Sequence, residues 1–564
     1  RGPRIGSVAV RATLLTVATL LGIGVLLGRL LQVQVLDRDR YAVYAATQGV
    51  ADVEFAGTRG AILDRDYSVL AMSDERPTVY GDPRLVDDPF AAAAALAGVL
   101  DVDETLVAKR LASDRHFVYV ARQVTPEEGR AVESLGLAGV SLLHEASRMR
   151  PNGTDLASGV LGAVDIDQNA LAGAEKQFTE ELTGGAGRRV ATVSRAGIPL
   201  PAGTAFSRPA TPGDDIVLSL HTEIQWIAEQ ALLRAVDELG AKGGSVVVMG
   251  VADGDLLAVA GVVRDPETGE VSVAAHNVAY TDVFEPGSVA KPFTVAAALQ
   301  EGVASPGELI ESPATYVYAD KTFREPYRSV DAVLTPEQIL VTSSNIGAIK
   351  LATRMSGATL HGYLSAFGFG RYSGPGHEAA VPGESRGILD PSSEWHGTRQ
   401  ATMAFGHGVA VTAVQLAAGF NVFANDGEYV APRLLLGTVD DDGEFEPAPG
   451  AEPERVVSEQ TARHLRRMLT SVVTDGTGRR AAVPGFAVAG KTGTAQKISA
   501  DGTYSGAHTS SFAGFLPAGD PVLTVAVVLD EPVEEYLAGL VAAPLFSEIA
   551  DYALRVLRVA PAES

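Results

Sequence analysis

The chain has 564 residues and contains no cysteine, two tryptophans and six methionines. Without cysteine there is no disulfide framework, no thiolate nucleophile and no Cys-ligated zinc or iron–sulfur cluster. Basic residues are also few, because 45 Lys and Arg stand against 69 Asp and Glu, a net charge of −24 with a pI near 4.8. This acidity disfavours a general affinity for nucleic acid. Any covalent nucleophile must therefore be an oxygen or an amine, and no nucleic-acid partner is expected.

Apolar residues, in contrast, are plentiful. Hydrophobic side chains make up 46% of the chain and charged ones only 20%, a balance that excludes global disorder. At about 150 residues per domain, the length indicates two to four domains. We therefore expect a folded, multidomain protein.

The first 40 residues differ from the rest in charge and hydropathy. They hold six arginines and two aspartates, a net charge of +4, which leaves −28 for the remainder. Seventeen uncharged residues lie between Arg11 and Arg29, longer than an ordinary signal-peptide core and without an A-x-A-like cleavage site. The run predicts an uncleaved membrane anchor over residues 12–36. The preceding arginines predict a cytoplasmic tail over 1–11, with all later residues outside.

A proline-rich stretch divides the rest of the chain. Four prolines fall within residues 199–212, which predicts a linker over 201–214. Upstream, residues 37–200 show a hairpin pattern around Asp64-Arg65-Asp66 and helix-prone runs at 90–100 and 103–112, with no titratable cluster of ligand or acid/base spacing. We expect this region to be an arm or pedestal.

Residues 215–564 are predicted to form one larger α/β (α+β) domain. The apolar pattern predicts a helix over 222–239, then a hairpin around Asp253-Gly254, and at the end of the chain the strand VLTVAVVLDEP and a closing helix. This order favours an antiparallel sheet covered by helices from both ends of the chain.

Three short motifs in this domain carry candidate chemistry, and each occurs once. The first runs from Ser288 to Lys291, at the start of a helix-prone segment, so that both side chains face the same side. A serine hydroxyl is a weak nucleophile unless a neighbouring base takes its proton. A lysine can be that base only if burial or nearby cations lower its pKa, and Lys491 of the third motif could be such a cation.

The second and third motifs supply groups for binding and proton transfer. Asn345 is expected to hydrogen-bond substrate amides, and Ser343 to relay a proton to a leaving amine. Gly493 lies in a strand-like segment, where glycine marks close approach of another backbone, so a peptide could add as a strand. Lys491 and the hydroxyls of Thr492 and Thr494 suit a terminal carboxylate.

The developing negative charge of an acylation intermediate also needs donors. The backbone N–H groups of Ser288 and Thr494 are the candidate oxyanion hole.

Together the motifs SVAK, SSN and KTGT, with HNVAYTDVFEPGS, AFGHGVAVTAVQLAAGFNVFANDG and HTSSFAGFLP around them, resemble the class B penicillin-binding proteins. Upstream, TRGAILDRDYSVLA resembles the pedestal motif of that family, and the anchor is in the expected place, so the resemblance covers nearly the whole chain. KTGTAQK and SSFAGFLP are most similar to the division-specific septal type.

The resemblance implies a penicillin-binding/serine-transpeptidase fold in residues 215–564, preceded by a pedestal (dimerisation-like) domain and one transmembrane helix. It implies that Ser288 is the acylated nucleophile, with Lys291 as its general base. Ser343 and Asn345 would form the second element. The substrate-binding strand would contain Lys491, Thr492, Gly493 and Thr494.

The implied reaction is acyl transfer on peptidoglycan stem peptides that end in D-Ala-D-Ala. Ser288 attacks the penultimate D-alanine carbonyl, the last D-alanine leaves, and an amine of a neighbouring strand resolves the ester. β-Lactam antibiotics would acylate the same serine, and neither a metal nor a cofactor is implied. The implied partners are a SEDS-type glycosyltransferase and other division proteins at the cell (inner) membrane.

Two positions depart from the family pattern. Asp66-Tyr67 stand where Asn-Gly is usual, which removes a turn glycine, and Arg150 stands where an aromatic residue is common. His407, flanked by glycines, is expected to be a structural loop residue rather than a catalytic one.

Two other classes of function remain open. In a D,D-carboxypeptidase or β-lactamase, water would resolve the acyl-enzyme, and Glu378, Glu384 and Glu394 are candidates to activate it. The membrane anchor and the pedestal argue against this class. The second class is a binding protein, either a β-lactam sensor or a division scaffold that does not turn over.

Overall fold

The computed structural model describes residues 8–37, 50–55, 57–193, 199–326, 328–498 and 504–561. These fall into two compact units, one of Arg1–Thr58 with Gly184–Pro212 and the other of Arg59–Thr183 with Gly213–Ser564. The first seven residues of the predicted tail lie outside the described residues.

The first unit begins with an apolar helix, Val8–Leu31, that continues as a π-helical turn, Gln32–Leu36. The segment Val10–Val35 has a mean hydropathy of 2.1 and is long enough to cross a membrane, and no residue of its most apolar 18-residue stretch is buried. A helix that is apolar on all sides needs an apolar surrounding. The helix predicted at 12–36 is therefore present, with the length and composition of a membrane span.

The same unit holds a three-stranded antiparallel sheet. Its order is Val50–Phe55, Gly187–Val193 and Pro199–Arg208. The prediction of an irregular linker at 201–214 is wrong as far as residue 208, because these residues form a strand. Proline is tolerated there because the strand lies at the sheet edge, where one side of the backbone needs no partner.

The second unit contains a sheet that joins the predicted pedestal to the predicted catalytic domain. Strand Asp215–Leu218 pairs in parallel with Ile62–Leu63 and antiparallel with Leu435–Val439. The sheet is completed by Val69–Gly81, Val118–Ala121, Val140–Met149 and Phe445–Pro447. Three distant parts of the chain thus contribute strands to one sheet, called the shared sheet below. Its strands come from both sides of the predicted domain boundary at residue 215.

The hairpin predicted around Asp64-Arg65-Asp66, in residues 60–71, is confirmed. Ile62–Leu63 pairs antiparallel with Val69–Gly81, and the carboxylate of Asp64 accepts the N–H groups of Asp66 (2.9 Å) and Ser68 (2.8 Å). Tyr67, which stands in place of the usual glycine, has φ +62°, a conformation that glycine adopts with less strain. The Asp64 carboxylate therefore holds a turn that the sequence leaves without its glycine.

Helices pack around the pedestal strands. The predicted helices at 90–100 and 103–112 are confirmed as Pro89–Ala97 and Glu104–Leu111, each capped by the side chain of an aspartate before its first turn. The further helices of this part are Pro126–Ser134, Ser158–Leu161, Gly173–Gln177 and Thr179–Leu182.

The larger domain predicted over residues 215–564 is built on a six-stranded antiparallel sheet. Its order is Val271–Val273, Leu256–Arg264, Gly243–Gly250, Leu523–Asp530, Tyr504–Leu516 and Ala489–Ile498. The last of these is called the edge strand below. The predicted hairpin around Asp253-Gly254 and the late strand are both present, as is the predicted antiparallel arrangement.

Helices cover both faces of this sheet. One apolar core lies under Thr222–Glu238 and the closing helix Ala538–Val556, which come from the two ends of the domain as predicted. The other core lies under the helices that come between these two in the sequence. Its buried side chains form one continuous cluster with those of the shared sheet. These helices are Val278–Thr281, Lys291–Gln300, Pro336–Val341, Asn345–Ala352, Gly357–Ala366, Arg399–Met403, Ala413–Ala424 and Glu459–Thr474.

The helix Thr222–Glu238 carries a buried carboxyl group that contacts the pedestal. Glu229 is 2% exposed, and its Oε1 accepts hydrogen bonds from the backbone N–H of Ala157 (2.9 Å) and from Nε2 of Gln225 (2.7 Å). Burial raises the pKa of Glu229 to about 7. The carboxyl group is therefore protonated in the folded protein over a pH range in which the unfolded chain is ionised.

We expect Glu229→Gln to make stability less dependent on pH. Wild-type stability should fall as pH rises from about 4.5 to about 7, because only the unfolded state loses the proton in that window. A glutamine keeps an acceptor for both hydrogen bonds and does not titrate, so the variant should be more stable by roughly 1–3 kcal/mol above pH 7. Thermal unfolding between pH 5 and 8 measures this, with the exposed Glu223→Gln of the same helix as control. Equal pH dependence in wild type and Glu229→Gln would contradict the assignment.

Candidate active site

The first motif lies where a 3₁₀ turn becomes a helix. The turn Gly287–Ala290, called the nucleophile turn, leads directly into the helix Lys291–Gln300. Ser288 is half-buried and Lys291 is fully buried. Nζ of Lys291 lies 2.9 Å from Oγ of Ser288 and donates a hydrogen bond to it. The predicted placement of both side chains on one side is confirmed.

The second motif brings its first serine to the same lysine. Ser343 is 2% exposed, and Lys291 Nζ donates to its carbonyl oxygen (2.6 Å) and to its Oγ (3.1 Å). Ser343 has φ +57°, which is strained for a residue with a Cβ and is found preferentially at functional sites. Ser344 then caps the helix Asn345–Ala352 by accepting the N–H of Gly347.

Asn345 stands at the start of this helix and is half-buried. Its backbone N–H has a partner, whereas no hydrogen bond joins its side-chain amide to the part of the chain that the structure describes. The predicted hydrogen bond of this amide to a substrate stays a prediction.

The third motif lies on the edge strand, about 150 residues further along. Lys491 is fully buried, and its Nζ donates to Oγ of Ser343 (3.2 Å) and to the carbonyl of Thr492 (3.1 Å). Oγ of Ser343 is therefore within hydrogen-bonding distance of both lysines. The structure thus brings Ser288, Lys291, Ser343 and Lys491 into one hydrogen-bonded chain of four side chains.

The two threonines of the edge strand make contacts that the sequence did not predict. Oγ1 of Thr492 lies 2.6 Å from Oγ1 of Thr477, and Oγ1 of Thr494 accepts the N–H of Ala538 (3.1 Å) at the start of the closing helix. A contact between two neutral hydroxyl groups has no recognisable sequence pattern. Nothing in the sequence therefore pointed to Thr477 as a neighbour of the site.

Gly493 allows the nucleophile turn to contact the edge strand. A Cβ at this position would lie 2.6 Å from the carbonyl oxygen of Pro286 and 3.1 Å from Cβ of Val289. The prediction that this glycine marks a close backbone approach is confirmed, and the approaching backbone is that of Pro286, directly before the nucleophile turn. Ser288 and Thr494 lie close in sequence to the residues of this contact. The oxyanion hole formed by their N–H groups stays a prediction.

Burial determines the electrostatics of the site. It is the largest cause that puts the pKa of Lys291 well below its usual 10.5, and the charge of Lys491 lowers it further, while Glu325 acts in the opposite direction. Burial also lowers the pKa of Lys491 to about 7. A lowered pKa of Lys291 favours the neutral amine that a general base beside Ser288 requires.

Sequence reasoning missed Glu325, whose side chain is 3% exposed. Its carboxylate accepts from Oγ of Ser344 (2.5 Å) and from the backbone N–H groups of Asn345 (3.1 Å) and Ile346 (3.2 Å). A lone glutamate between two motifs has no spacing pattern, so only the fold reveals its place at the second motif.

The other candidates have structural partners. His407 Nδ1 lies 2.8 Å from a carboxylate oxygen of Glu285, whose other oxygen accepts the N–H of Gly408. Glu384 accepts the N–H groups of Ser373 and Ala380 within its own loop, and Glu378 and Glu394 are exposed.

A half-buried serine with a buried lysine base, a second serine between two lysines and an adjoining sheet edge define a serine acyltransferase site. Residues 244–551 match the family described as "Penicillin binding protein transpeptidase domain", and residues 54–218 match "Penicillin-binding Protein dimerisation domain". The chain belongs to the class B penicillin-binding proteins, which carry this pair of domains.

Curated relatives match nearly the whole chain. The "Probable peptidoglycan D,D-transpeptidase PbpC" of Pseudomonas aeruginosa is 34% identical over 95% of this chain and 93% of its own. The "Peptidoglycan D,D-transpeptidase FtsI" of Escherichia coli K12 is 32% identical over 98% and 92%. The N-terminal apolar helix and this match along nearly the whole chain indicate a single-pass membrane protein.

Solved structures share the fold. A peptidoglycan synthetase from Bifidobacterium adolescentis superposes with a TM-score of 0.74 at 27% identity, over 91% of this chain and 98% of its own. Penicillin binding protein 3 of Mycobacterium tuberculosis, complexed with aztreonam, has a TM-score of 0.69 at 26% identity over the same shares. The penicillin-binding transpeptidase fold predicted from the motifs is confirmed.

We expect Lys491→Met to weaken acylation by a fluorescent penicillin and to move the acid limb of its rate to higher pH. The substitution removes a cation that lowers the pKa of Lys291, so Lys291 stays protonated, and inactive as a base, to higher pH. Acylation rates between pH 5 and 9 measure the limb. Lys497→Met, on the same strand but paired with Asp530 and Glu531, is the control. An unchanged limb in Lys491→Met would contradict this electrostatic role.

Proposed function

We propose that the chain is a peptidoglycan D,D-transpeptidase that cross-links stem peptides through an acyl ester on Ser288, in septal wall synthesis during division. The observation that carries the proposal is the 2.9 Å contact between Oγ of Ser288 and Nζ of the fully buried Lys291. A lysine without solvent exposure and next to a second lysine is the base that a serine nucleophile needs.

In acylation, neutral Lys291 takes the hydroxyl proton while Oγ of Ser288 bonds to the carbonyl carbon of the penultimate D-alanine. The N–H groups of Ser288 and Thr494 stabilise the oxyanion of the tetrahedral intermediate. The C–N bond to the last D-alanine then breaks, and the leaving amine receives a proton through Ser343, whose Oγ is within 3.2 Å of both lysine Nζ atoms.

In the second half-reaction, an amine of a neighbouring stem peptide attacks the ester carbonyl. A new amide bond forms, the ester bond to Ser288 breaks, and the proton from the amine returns to Oγ of Ser288 through Lys291. A β-lactam would acylate the same oxygen by opening its ring amide, and the ester would persist where no acceptor amine reaches it.

The donor peptide is proposed to bind along the edge strand. Within the described residues this strand pairs on one side only, with Tyr504–Leu516, so its other side can accept an added strand. Asn345 would bind a substrate amide, and Lys491, Thr492 and Thr494 would bind the terminal carboxylate.

The domain and membrane arrangement follows the charge distribution. We place residues 1–11 in the cytoplasm, the anchor at 12–36 in the cell membrane, and the pedestal from 37 and the transpeptidase domain from 215 outside, since the arginines precede the span. The septal role is supported by the KTGTAQK and SSFAGFLP motifs and by the match to FtsI. A SEDS-type glycosyltransferase and other division proteins are the proposed partners, through the anchor and pedestal.

We expect Ser288→Ala to abolish covalent labelling by a fluorescent penicillin and to fail to support growth of cells that depend on this chain, because no other group can form the ester. Gel fluorescence of the full chain in detergent measures labelling, with the exposed Ser305→Ala as the matched control. A Ser288→Ala strain that divides normally would instead support the scaffold function.

We expect the penicilloyl-enzyme to be long-lived. A transpeptidase positions an amine rather than a water for the second step, whereas a β-lactamase must hydrolyse the ester rapidly. Mass spectrometry of the acylated protein over hours measures the loss of the adduct. Release of the adduct within seconds would favour a hydrolase over a transpeptidase.

A further inference from the structure

The buried carboxylate of Glu325 lies behind the second motif, outside the four side chains that form the hydrogen-bonded chain. It follows the strand Lys321–Arg324 and reaches the start of the helix Asn345–Ala352. The first N–H groups of a helix have no partner within the helix, and the helix dipole favours a negative charge there. Glu325 occupies that position, as its hydrogen bonds to the N–H groups of Asn345 and Ile346 show.

The carboxylate is fully engaged. Oε1 accepts from Oγ of Ser344 (2.5 Å) and Oγ of Ser312 (2.9 Å), and it lies 3.3 Å from a guanidinium nitrogen of Arg328. Arg328 in turn donates to the carbonyl oxygen of Ser312 (2.8 Å). A carboxylate with this many charge-assisted bonds holds its partners in one geometry.

Glu325 binds the two residues that come immediately after Ser343, the residue that contacts Lys291. Ser344 and Asn345 come immediately after Ser343, whose strained backbone presents both its carbonyl oxygen and its hydroxyl to Lys291. Loss of the Glu325 contacts would release the turn at the point where it positions this relay and the Asn345 amide.

Glu325 also takes part in the charge balance around the base. Lys491 on the edge strand and Glu325 are the charged groups that act on Lys291, with opposite signs, and Arg328 partly offsets the charge of Glu325. In an interior of low dielectric, such charges act strongly on one another.

We propose that Glu325 is a positioning residue for acyl transfer: its buried carboxylate clamps the Ser343–Asn345 turn against Lys291 and adds a negative charge to the surroundings of that base. The proposal rests on the proposed function of the same site.

The test is the acylation rate of the detergent-solubilised full chain by a fluorescent penicillin between pH 5 and 9. In Glu325→Gln, an amide nitrogen must replace one acceptor oxygen, so we expect the maximal rate to fall roughly tenfold or more. Because the negative charge is lost, we also expect the acid limb to move to lower pH by about half a unit or more. In Glu325→Asp, which keeps the charge on a shorter side chain, we expect a lower rate with the limb unmoved.

Glu384→Gln is the matched control, since Glu384 is also buried and binds backbone N–H groups, but in a loop apart from the three motifs. We expect neither its rate nor its limb to change. A Glu325→Gln limb at the wild-type pH overturns the proposal even if the rate falls, because a purely structural residue would lower the rate alone. If Glu325→Gln does not fold, a wild-type rate in folded Glu325→Asp overturns it. Labelling that persists in Ser288→Ala would instead refute the proposed function, whatever the Glu325 variants do.

Discussion

The site depends on the complete burial of two lysine side chains around one serine hydroxyl. Nζ of Lys291 and Nζ of Lys491 both contact Oγ of Ser343, so two positive charges would stand together without solvent. That arrangement is costly unless one amine gives up its proton. The same condition would suit Lys291 to the proposed role of base for Ser288. It requires the helix, the turn and the strand that carry these residues to meet closely.

The fold meets that requirement by close backbone packing. Gly493 lets the nucleophile turn lie against the edge strand, and the left-handed backbone of Ser343 turns its carbonyl oxygen to the base. The carboxylate of Glu325 accepts hydrogen bonds from the first N–H groups of the helix that follows Ser343. The edge strand pairs on one side only among the described residues, so its other side has the backbone surface to which the peptide is proposed to bind.

Much of the fold follows from local patterns. The helix at 222–238, the hairpin around Asp253-Gly254 and the closing helix were predictable because hydrophobic periodicity and turn residues act within a few positions. The strand at 199–208 was not, since proline content alone does not distinguish a linker from an edge strand. The shared sheet was also missed, because the pairing of Asp215–Leu218 with Ile62–Leu63 depends on a partner about 150 residues away.

The sequence by itself determined that Ser288 and Lys291 lie side by side, because side chains three residues apart at a helix start face the same side, and the motif resemblance predicted their roles as nucleophile and base. It also determined the family, through three motifs in a fixed order. Only the tertiary structure decided that Lys491 contacts Ser343, that Thr477 and Glu325 join the site, and that the pKa of Lys291 is lowered. Burial and charge proximity arise from side chains that are far apart in sequence, so they exist only once the sheet and its helices have assembled.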